Sequence, residues 1–174
     1  MIGLGLFDTA IGRCGIAWNV HGIARVQLPE SDNDATRARL ARGFRDAHET
    51  DPPPEVERAI VDIAALLHGE RRDLSAIALD MKGVPEFDTR VYEAARTIPP
   101  GATLTYGEIA KRIGAPGAAR AVGGALARNP FAIVVPCHRV VAAGGKSGGF
   151  SAVGGRDLKR RLLAIESAAF SLSA

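Results

Sequence analysis

Cysteines are scarce in this sequence, and long apolar runs are missing from it. Cys14 and Cys137 are the two cysteines among 174 residues. Two are too few for a disulfide framework, so a reducing, cytoplasmic compartment is expected. No stretch approaches the roughly 20 apolar residues that a membrane-spanning helix needs, and no membrane association is expected. Met1–Asp8 carries no basic leader, so no secretory signal peptide is expected either.

Metal-ligand patterns are also absent. Cys14, His21, His48 and His68 show no spacing typical of zinc ligands, so the sequence predicts no metal site. The apolar fraction of 47% is ordinary for a globular protein, and the length allows one domain or two small ones with a hydrophobic core.

Charge is divided unevenly along the chain. Residues 1–80 contain 9 Lys/Arg and 13 Asp/Glu, or −4, and residues 81–174 contain 13 and 6, or +7, which together give the formal +3. A basic half beside an acidic half suggests that the second half faces a polyanion such as nucleic acid. A fluctuation of surface charge without function is the alternative interpretation.

The first half has the pattern of a small α+β domain without catalytic residues. Three strands are predicted in an antiparallel meander, with a turn at residues 19–22, and Ile77–Leu79 is predicted as a further strand. Helices are predicted around Ala35–Phe44 and from Pro54 to near Gly69. The meander strands are Ile2–Phe7, Cys14–Trp18 and Ile23–Leu28.

The second half predicts a helix-turn-helix. Thr105 and Glu108 have the spacing of a capping box, which begins a short helix that runs to Gly114. After a turn of about three residues, Pro116 is predicted to open a second helix that ends at Asn129.

That second helix has almost no side-chain bulk. Arg120 stands out in it as a long cationic side chain among alanines and glycines. A helix this slim could approach a minor groove that is only about 6 Å wide. Close packing against a neighbouring helix is the alternative explanation of the same composition.

Cys137 follows the apolar run Phe131–Val135, predicted as a buried strand, and precedes His138 and Arg139. Basic neighbours lower the pKa of a thiol, and the thiolate is the nucleophile, so Cys137 is the candidate reactive residue. A lone Cys-His pair is weak support by itself, because most single cysteines are small core residues. Cys14, in a patterned strand, is assigned to the core.

Four segments together resemble the O6-alkylguanine-DNA alkyltransferase (methylated-DNA–protein-cysteine methyltransferase) family. They are residues 106–108, 120–123, 129–130 and 133–141, and the last contains Pro136-Cys137-His138-Arg139. The resemblance covers about Arg90 to Glu166. It implies an α+β fold with a small N-terminal ribonuclease-H-like α/β domain, residues 1–82. A mainly helical winged helix-turn-helix domain, residues 83–174, is expected to follow.

The resemblance implies single-turnover DNA repair. Cys137 would accept the alkyl group from O6 of guanine irreversibly, with no cofactor. His138 would act on the thiol through a water, and Glu166 would orient His138. Tyr106 would donate a hydrogen bond to the guanine, which is flipped through the minor groove of double-stranded DNA. A monomer is expected, and activity on O4-alkylthymine is left open.

Other residues are assigned to DNA and substrate by the same resemblance. Arg120 would enter the base stack, Asn129 would brace the turn before the cysteine, and Phe150 would wall the alkyl pocket. Backbone groups of Cys137, Val140 and Ser151 would recognise the guanine edge. The expected DNA contacts are Thr105, Tyr106, Arg120, Ala121, Gly123 and Arg128. The expected pocket residues are Asn129, Pro136, Val140, Phe150 and Ser151.

One departure from the family pattern affects Glu166. Two extra residues separate it from Cys137, whereas its distance from Gly154-Gly155 matches the family. We therefore expect the extra residues in the loop at Ser151–Val153, the last helix in its usual register, and Glu166 within hydrogen-bonding distance of His138.

Two other functions are compatible with parts of the sequence. A non-catalytic sensor of alkylated DNA, or a helix-turn-helix regulator, would use the same DNA-binding half, but such sensors lack the cysteine. A cysteine hydrolase would use Cys137 and His138, yet adjacent residues on an extended segment point to opposite faces.

Overall fold

The computed structural model describes residues 1–172, which form two compact units. The first unit contains Met1–Asp80 and Pro130–Val134, and the second contains Met81–Asn129 and the chain from Val135 onward. The sequence placed the boundary two residues later, at residues 82–83, and kept residues 130–134 with the second half. The structure joins that segment to the first unit because the Val26 N–H donates to the Pro130 carbonyl at 2.9 Å.

The first unit is built on a four-stranded sheet with the order β3-β2-β1-β4. The predicted antiparallel meander is confirmed, with Gly3 opposite Trp18 and Gly15 opposite Gln27. The fourth strand, which pairs parallel to the first, was not predicted, because three residues of mixed polarity carry no alternation. The strands are β1 Ile2–Thr9, β2 Gly12–Asn19, β3 Gly22–Gln27 and β4 Ala47–Glu49.

Helices α1 (Asn33–Ala41) and α2 (Pro54–Leu67) complete the first unit. Leu40 of α1 packs with Leu4 and Ala17 in a core cluster, and α2 buries five apolar residues along one face. The Asp32 side chain accepts from the Ala35 N–H, which caps α1. Cys14 is fully buried in β2, as the sequence analysis assigned it.

Two boundaries in the first unit differ from prediction. Ile77–Leu79 forms only one parallel bridge, between Leu79 and Ile23, rather than a strand. The bridge consists of two hydrogen bonds, from the Ile23 N–H to the Ala78 carbonyl and from the Asp80 N–H to the Ile23 carbonyl. Helix α1 ends at Ala41, before the predicted Phe44, because the Arg25 guanidinium donates to three carbonyls at its end and stacks on Phe44.

The second unit contains the predicted helix-turn-helix with a longer turn. Thr105 accepts from the Glu108 N–H and the Glu108 carboxylate accepts from the Thr105 N–H, which confirms the capping box. Pro116 does not open the second helix, because Pro116 and Gly117 form a turn and Gly117 has φ +88°. The helices are α3 Glu86–Arg96, α4 Tyr106–Arg112, α5 Ala119–Ala127 and α6 Gly155–Leu172.

A short parallel ladder fixes the centre of the second unit. Strand β5 (Leu104–Thr105) pairs with β6 (Val140–Val141), with Leu104 opposite Val140. The fold is therefore mixed α+β, as predicted. No helix in the described part of the chain has the length and apolar character to cross a membrane.

Gly3 gives a test of how tightly the sheet packs. A Cβ at Gly3 would lie 2.4 Å from the Trp18 ring, whereas one at Gly5 on the same strand would lie 3.7 Å from that ring. We expect Gly3→Ala to lower the free energy of unfolding by about 1–3 kcal/mol, since a rigid buried ring must move. Gly5→Ala is the matched control and should stay within about 0.5 kcal/mol of the original. Equal urea midpoints for the two variants would contradict this packing.

Candidate active site

Cys137 lies in a tight turn rather than after a regular strand. Residues Phe131–Val135 are largely buried, but they contain a turn in which Ile133 has φ +72°, so the predicted strand is wrong. Cys137–Arg139 form one turn of 3₁₀ helix, and the Cys137 N–H donates to the Val135 carbonyl at 2.8 Å. The turn removes the objection that adjacent residues must point to opposite faces. Cys137 is half-buried, whereas His138 and Arg139 are buried.

A buried carboxylate joins the two residues that follow the cysteine. Glu166 Oε1 lies 2.7 Å from His138 Nε2, and both carboxylate oxygens accept from Arg139, at 2.8–3.2 Å. Arg139 also donates to the Ile98 carbonyl at 2.7 Å. The expected pairing of Glu166 with His138 is confirmed.

The pKa shifts assign protonation states within this group. Burial raises the pKa of Glu166, but hydrogen bonds from His138 and Arg139 outweigh it and lower the pKa to about 2. Burial lowers the pKa of His138, and Glu166 opposes that shift only in part. His138 is therefore a neutral imidazole at neutral pH, and Arg139 balances the charge of Glu166.

The tautomer of His138 follows from these states. An ionised carboxylate can only accept, so Nε2 carries the proton and donates it to Glu166. Nδ1 then has a free lone pair, and it is buried with no hydrogen-bond partner in the described part of the chain. A buried acceptor left open beside a cysteine can take a proton from the thiol.

The thiol itself departs from the expectation. Burial raises the pKa of Cys137, and three groups oppose it: a hydrogen bond from Asn129, the charge of Lys159 and backbone N–H groups of the 3₁₀ turn. The prediction of a lowered thiol pKa is wrong, because desolvation exceeds the effect of the basic neighbours. The resting side chain is a thiol, which makes a base necessary for reaction.

Lys159 is a buried cation that the sequence analysis missed. Its Nζ donates to the Val140 carbonyl at 2.7 Å and the Gly149 carbonyl at 3.2 Å. The same Nζ lies 3.5 Å from Tyr106 Oη and 5.7 Å from the centre of the ring. Burial lowers the pKa of Lys159. A helical lysine at a core position is the one sequence signal that could have identified it.

Cys137 opens into a pocket of ≈ 610 Å³. Helices α4 and α5 contribute one side of the pocket, and the loop before α6 contributes the other. Arg120 is exposed at the pocket, and Phe150 and Ser151 are on the loop side. The lining residues are Tyr106, Ala119, Arg120, Gly123, Leu126, Ala127, Cys137, Gly149, Phe150 and Ser151.

The other predicted site residues do not line this pocket. Pro136 and Val140 are buried, and the Asn129 amide donates to the Val135 carbonyl at 3.0 Å.

Thr105 is engaged in the capping box, and Ala121 is exposed on α5. Arg128 forms a two-bond salt bridge to Asp88, at 2.9 and 3.1 Å, that the sequence analysis missed.

The two glycines of α5 differ in how closely other side chains approach them. A Cβ at Gly123 would be in ordinary van der Waals contact with Tyr106, at 3.9 Å. A Cβ at Gly124 would lie 3.3 Å from the Arg128 guanidinium, which is a flexible group. The explanation by close helix packing therefore fails at Gly123, where the free space faces the pocket.

Metal-ligand geometry gives no further site. Within residues 1–172, no cluster of three or more His, Cys, Asp or Glu side chains is arranged to hold a metal ion.

Comparisons with known proteins point to one family. Residues 86–168 match the family model described as the DNA-binding domain of 6-O-methylguanine DNA methyltransferase. A methylated-DNA–protein-cysteine methyltransferase of Mycobacterium tuberculosis is 39% identical over 166 residues, which cover 95% of this chain and 93% of the relative. One from Methanothermobacter thermautotrophicus is 36% identical and covers 84% and 82%.

Solved structures agree along nearly the whole chain. The crystal structure of M. tuberculosis O6-methylguanine methyltransferase has a TM-score of 0.76 at 36% identity, covering 100% of both chains. The crystal structure of M. tuberculosis OGT in complex with DNA has a TM-score of 0.75 at 35% identity, covering 96% of this chain and 94% of the other.

The buried Glu166 makes the free energy of unfolding depend on pH in the acidic range. Its pKa is about 2 in the fold and about 4.3 in an unfolded chain, so its contribution is complete above pH 4.3 and is lost as pH falls toward 2. We expect the original protein to lose about 3 kcal/mol more unfolding free energy between pH 5 and pH 2 than Glu166→Gln does. Asp157→Asn, at a fully exposed carboxylate on the same helix, is the control and should follow the original protein. Matching pH profiles for the original protein and Glu166→Gln would contradict the assignment.

Proposed function

Because this chain belongs to the methylated-DNA–protein-cysteine methyltransferase family, we propose that it repairs DNA by moving an alkyl group from O6 of guanine to Cys137. Methyl transfer is the minimal reaction. The observation that carries the proposal is the arrangement at the pocket: a half-buried thiol opens into it, and the next residue of the same 3₁₀ turn is a buried neutral imidazole whose tautomer Glu166 fixes.

The chemistry begins with the proton of the thiol. His138 Nδ1 accepts it through a water, and the imidazolium that forms is stabilised by Glu166 through Nε2. The Cys137 sulfur then attacks the alkyl carbon in line, forming a C–S bond as the C–O6 bond breaks. The bonding electron pair leaves with guanine. The thioether has no good leaving group, so each protein molecule reacts once and no cofactor takes part.

Tyr106 is the donor that we assign to the leaving guanine. The Lys159 ammonium can only donate, so at 3.5 Å the phenol oxygen is its acceptor. The phenol O–H is then free to donate into the pocket. Burial raises the pKa of Tyr106, which keeps the phenol protonated at neutral pH. A hydrogen bond to the base improves it as a leaving group.

Base flipping from double-stranded DNA supplies the substrate in this proposal. The alkylated oxygen lies inside the duplex, so the nucleotide must leave the stack at a cost of a few kcal/mol. Arg120 is exposed beside the pocket on a helix with little bulk, and it would fill the vacated space. We assign α4 and α5 to a winged helix-turn-helix and the first unit to a ribonuclease-H-like domain.

Supporting roles complete the site. Phe150 and Ser151 border the alkyl group, and the Val140 carbonyl has a second lone pair for the guanine edge besides the one that accepts from Lys159. Asn129 donates to the Val135 carbonyl and so holds the segment that leads through Pro136 to Cys137. Further DNA contacts are assigned to backbone and small side chains of Thr105, Ala121 and Gly123. The substrate is O6-alkylguanine in duplex DNA, bound by a monomer.

Two competing functions would use the same site in different ways. A lesion sensor has no use for a reactive cysteine, whereas Cys137 lines the pocket and precedes a histidine whose Nδ1 is an open acceptor. A hydrolase would need a second step in which water releases the acyl group. Binding without transfer, or hydrolysis with turnover, would replace the proposal.

Stoichiometry tests the reaction. With duplex DNA that contains O6-methylguanine, we expect the intact protein to gain one methyl group on Cys137 and product to stop at one equivalent. Intact mass and peptide mapping measure both. Cys137→Ser should bind DNA but transfer nothing. Cys14 is the internal control, since burial raises its pKa to about 11 and it should stay unmodified. Product beyond one equivalent would exclude a single-turnover mechanism.

The role of Arg120 is tested by comparing two substrates. Arg120→Ala should slow transfer from duplex DNA by about 100-fold, because the flipped state loses its wedge, worth a few kcal/mol. Transfer from the free base O6-benzylguanine, which needs no flipping, should change less than threefold. Lys111→Ala removes an equal exposed charge from α4 and is the control for DNA affinity alone. Equal losses on both substrates for Arg120→Ala would place Arg120 in chemistry or folding instead.

A further inference from the structure

Asp88 is a buried carboxylate that the mechanism above leaves without a role. It lies in the first turn of α3, is 3% exposed, and accepts two hydrogen bonds from the Arg128 guanidinium. A buried carboxylate is costly unless it is paired, so Arg128 is committed to Asp88 rather than free for DNA.

Arg128 connects the end of α5 to α3. It is the C-cap residue of α5, and its N–H donates to the Gly124 and Ala125 carbonyls. Its guanidinium lies back along that last turn, where a Cβ at Gly124 would come within 3.3 Å of it. The absent side chain of Gly124 therefore gives the arginine its path to Asp88.

A second bond from α3 holds the same end of α5. Tyr92 Oη, one turn beyond Asp88, donates to the Ala125 carbonyl at 2.7 Å. Two side chains of α3 thus hold the end of α5: Asp88 binds the Arg128 guanidinium and Tyr92 binds the Ala125 carbonyl. The next residue after this fixed cap is Asn129, which donates to the Val135 carbonyl and hydrogen bonds the Cys137 sulfur.

We propose that Asp88 is a positioning residue which, through Arg128, holds the end of α5 so that Asn129 stays hydrogen bonded to the Cys137 sulfur. This inference rests on the proposed function of Cys137. It reassigns Arg128 from a phosphate contact to a clamp. The ionic clamp then supports the reactive thiol from a helix that does not line the pocket.

The thiolate is the species that the clamp favours. The titratable groups that face Cys137 are His138 in its own turn, Lys159 of α6, Tyr106 of α4 and Tyr92 of α3. The clamp variants alter none of these four, so a change in thiol reactivity must come through Asn129 or through a shift of Tyr92. Tyr92→Phe separates the two, since it removes the phenol and leaves Asp88 and Arg128 in place.

The test measures thiol reactivity without DNA. The rate of iodoacetamide alkylation of Cys137 is followed from pH 5 to pH 10, with the modified residue located by mass spectrometry. Asp88→Asn and Arg128→Met should each slow alkylation about tenfold at neutral pH and move the profile to higher pH. The double variant should be no slower than either single one, because both remove the same clamp.

Three further variants set the limits of the effect. Asn129→Ala should slow alkylation at least as much as the clamp variants. Tyr92→Phe should slow it less than they do. Arg160→Met is the matched control, since it removes an arginine whose ion pair with Asp157 is exposed to solvent, and it should match the original protein. Should Asp88→Asn fail to fold, Arg128→Lys keeps the charge, loses the two-bond geometry and should give an intermediate shift.

The outcomes distinguish three roles of the Asp88–Arg128 pair: positioning of the thiol, a purely structural role, and restraint of a DNA contact. An unchanged pH profile in both Asp88→Asn and Arg128→Met would overturn the proposal and leave the pair a purely structural role. Faster transfer from duplex DNA in Asp88→Asn, with unchanged thiol reactivity, would show that Arg128 is a DNA contact restrained by Asp88. Failure of the proposed function is distinguishable, because it would abolish alkyl transfer while the iodoacetamide profiles remain measurable.

Discussion

Glu166 is a carboxylate almost wholly removed from water, and the arrangement of the second unit follows from that burial. An unpaired charge there would cost several kcal/mol, so the fold must bring donors to it from distant parts of the chain. Arg139 supplies the balancing charge and His138 supplies a neutral donor. The same guanidinium reaches the Ile98 carbonyl, at the end of α3. One carboxylate thus ties α6, the 3₁₀ turn and the segment after α3 together.

Arg139 balances the charge of Glu166 while His138 stays neutral, which explains how this one carboxylate can be both structural and functional. If His138 alone balanced Glu166, the imidazole would be protonated and could not accept a proton. With Arg139 present, His138 stays neutral, its tautomer is fixed, and Nδ1 remains an acceptor. The loop at Ser151–Val153 precedes α6, and two extra residues there would leave the paired end of the helix in place.

The sequence identified the elements and residues whose signals are local. The capping box at Thr105, the turn before β3 and the helix opened by Pro54 follow from short-range chemistry, and each is confirmed. The pairing of Glu166 with His138, which the family resemblance implied, is observed as well. The errors arose where tertiary packing overrides the local pattern. An apolar run before Cys137 looked like a strand but turns at Ile133, and burial outweighed basic neighbours at the thiol.

The parallel pairing of β5 with β6 has a consequence for the order in which the molecule acquires its reactivity. Leu104 and Val140 are adjacent in the ladder but lie 36 positions apart in sequence, and Lys159 and Glu166 follow later still. Closing such loops costs entropy before any contact is gained, so non-local pairings form late in folding. A chain that has not completed this step carries a cysteine without its lysine, its imidazole tautomer or its pocket. The base and the pocket that alkyl transfer needs are therefore assembled only when the fold is complete, and a nascent or partly unfolded molecule holds a cysteine without either.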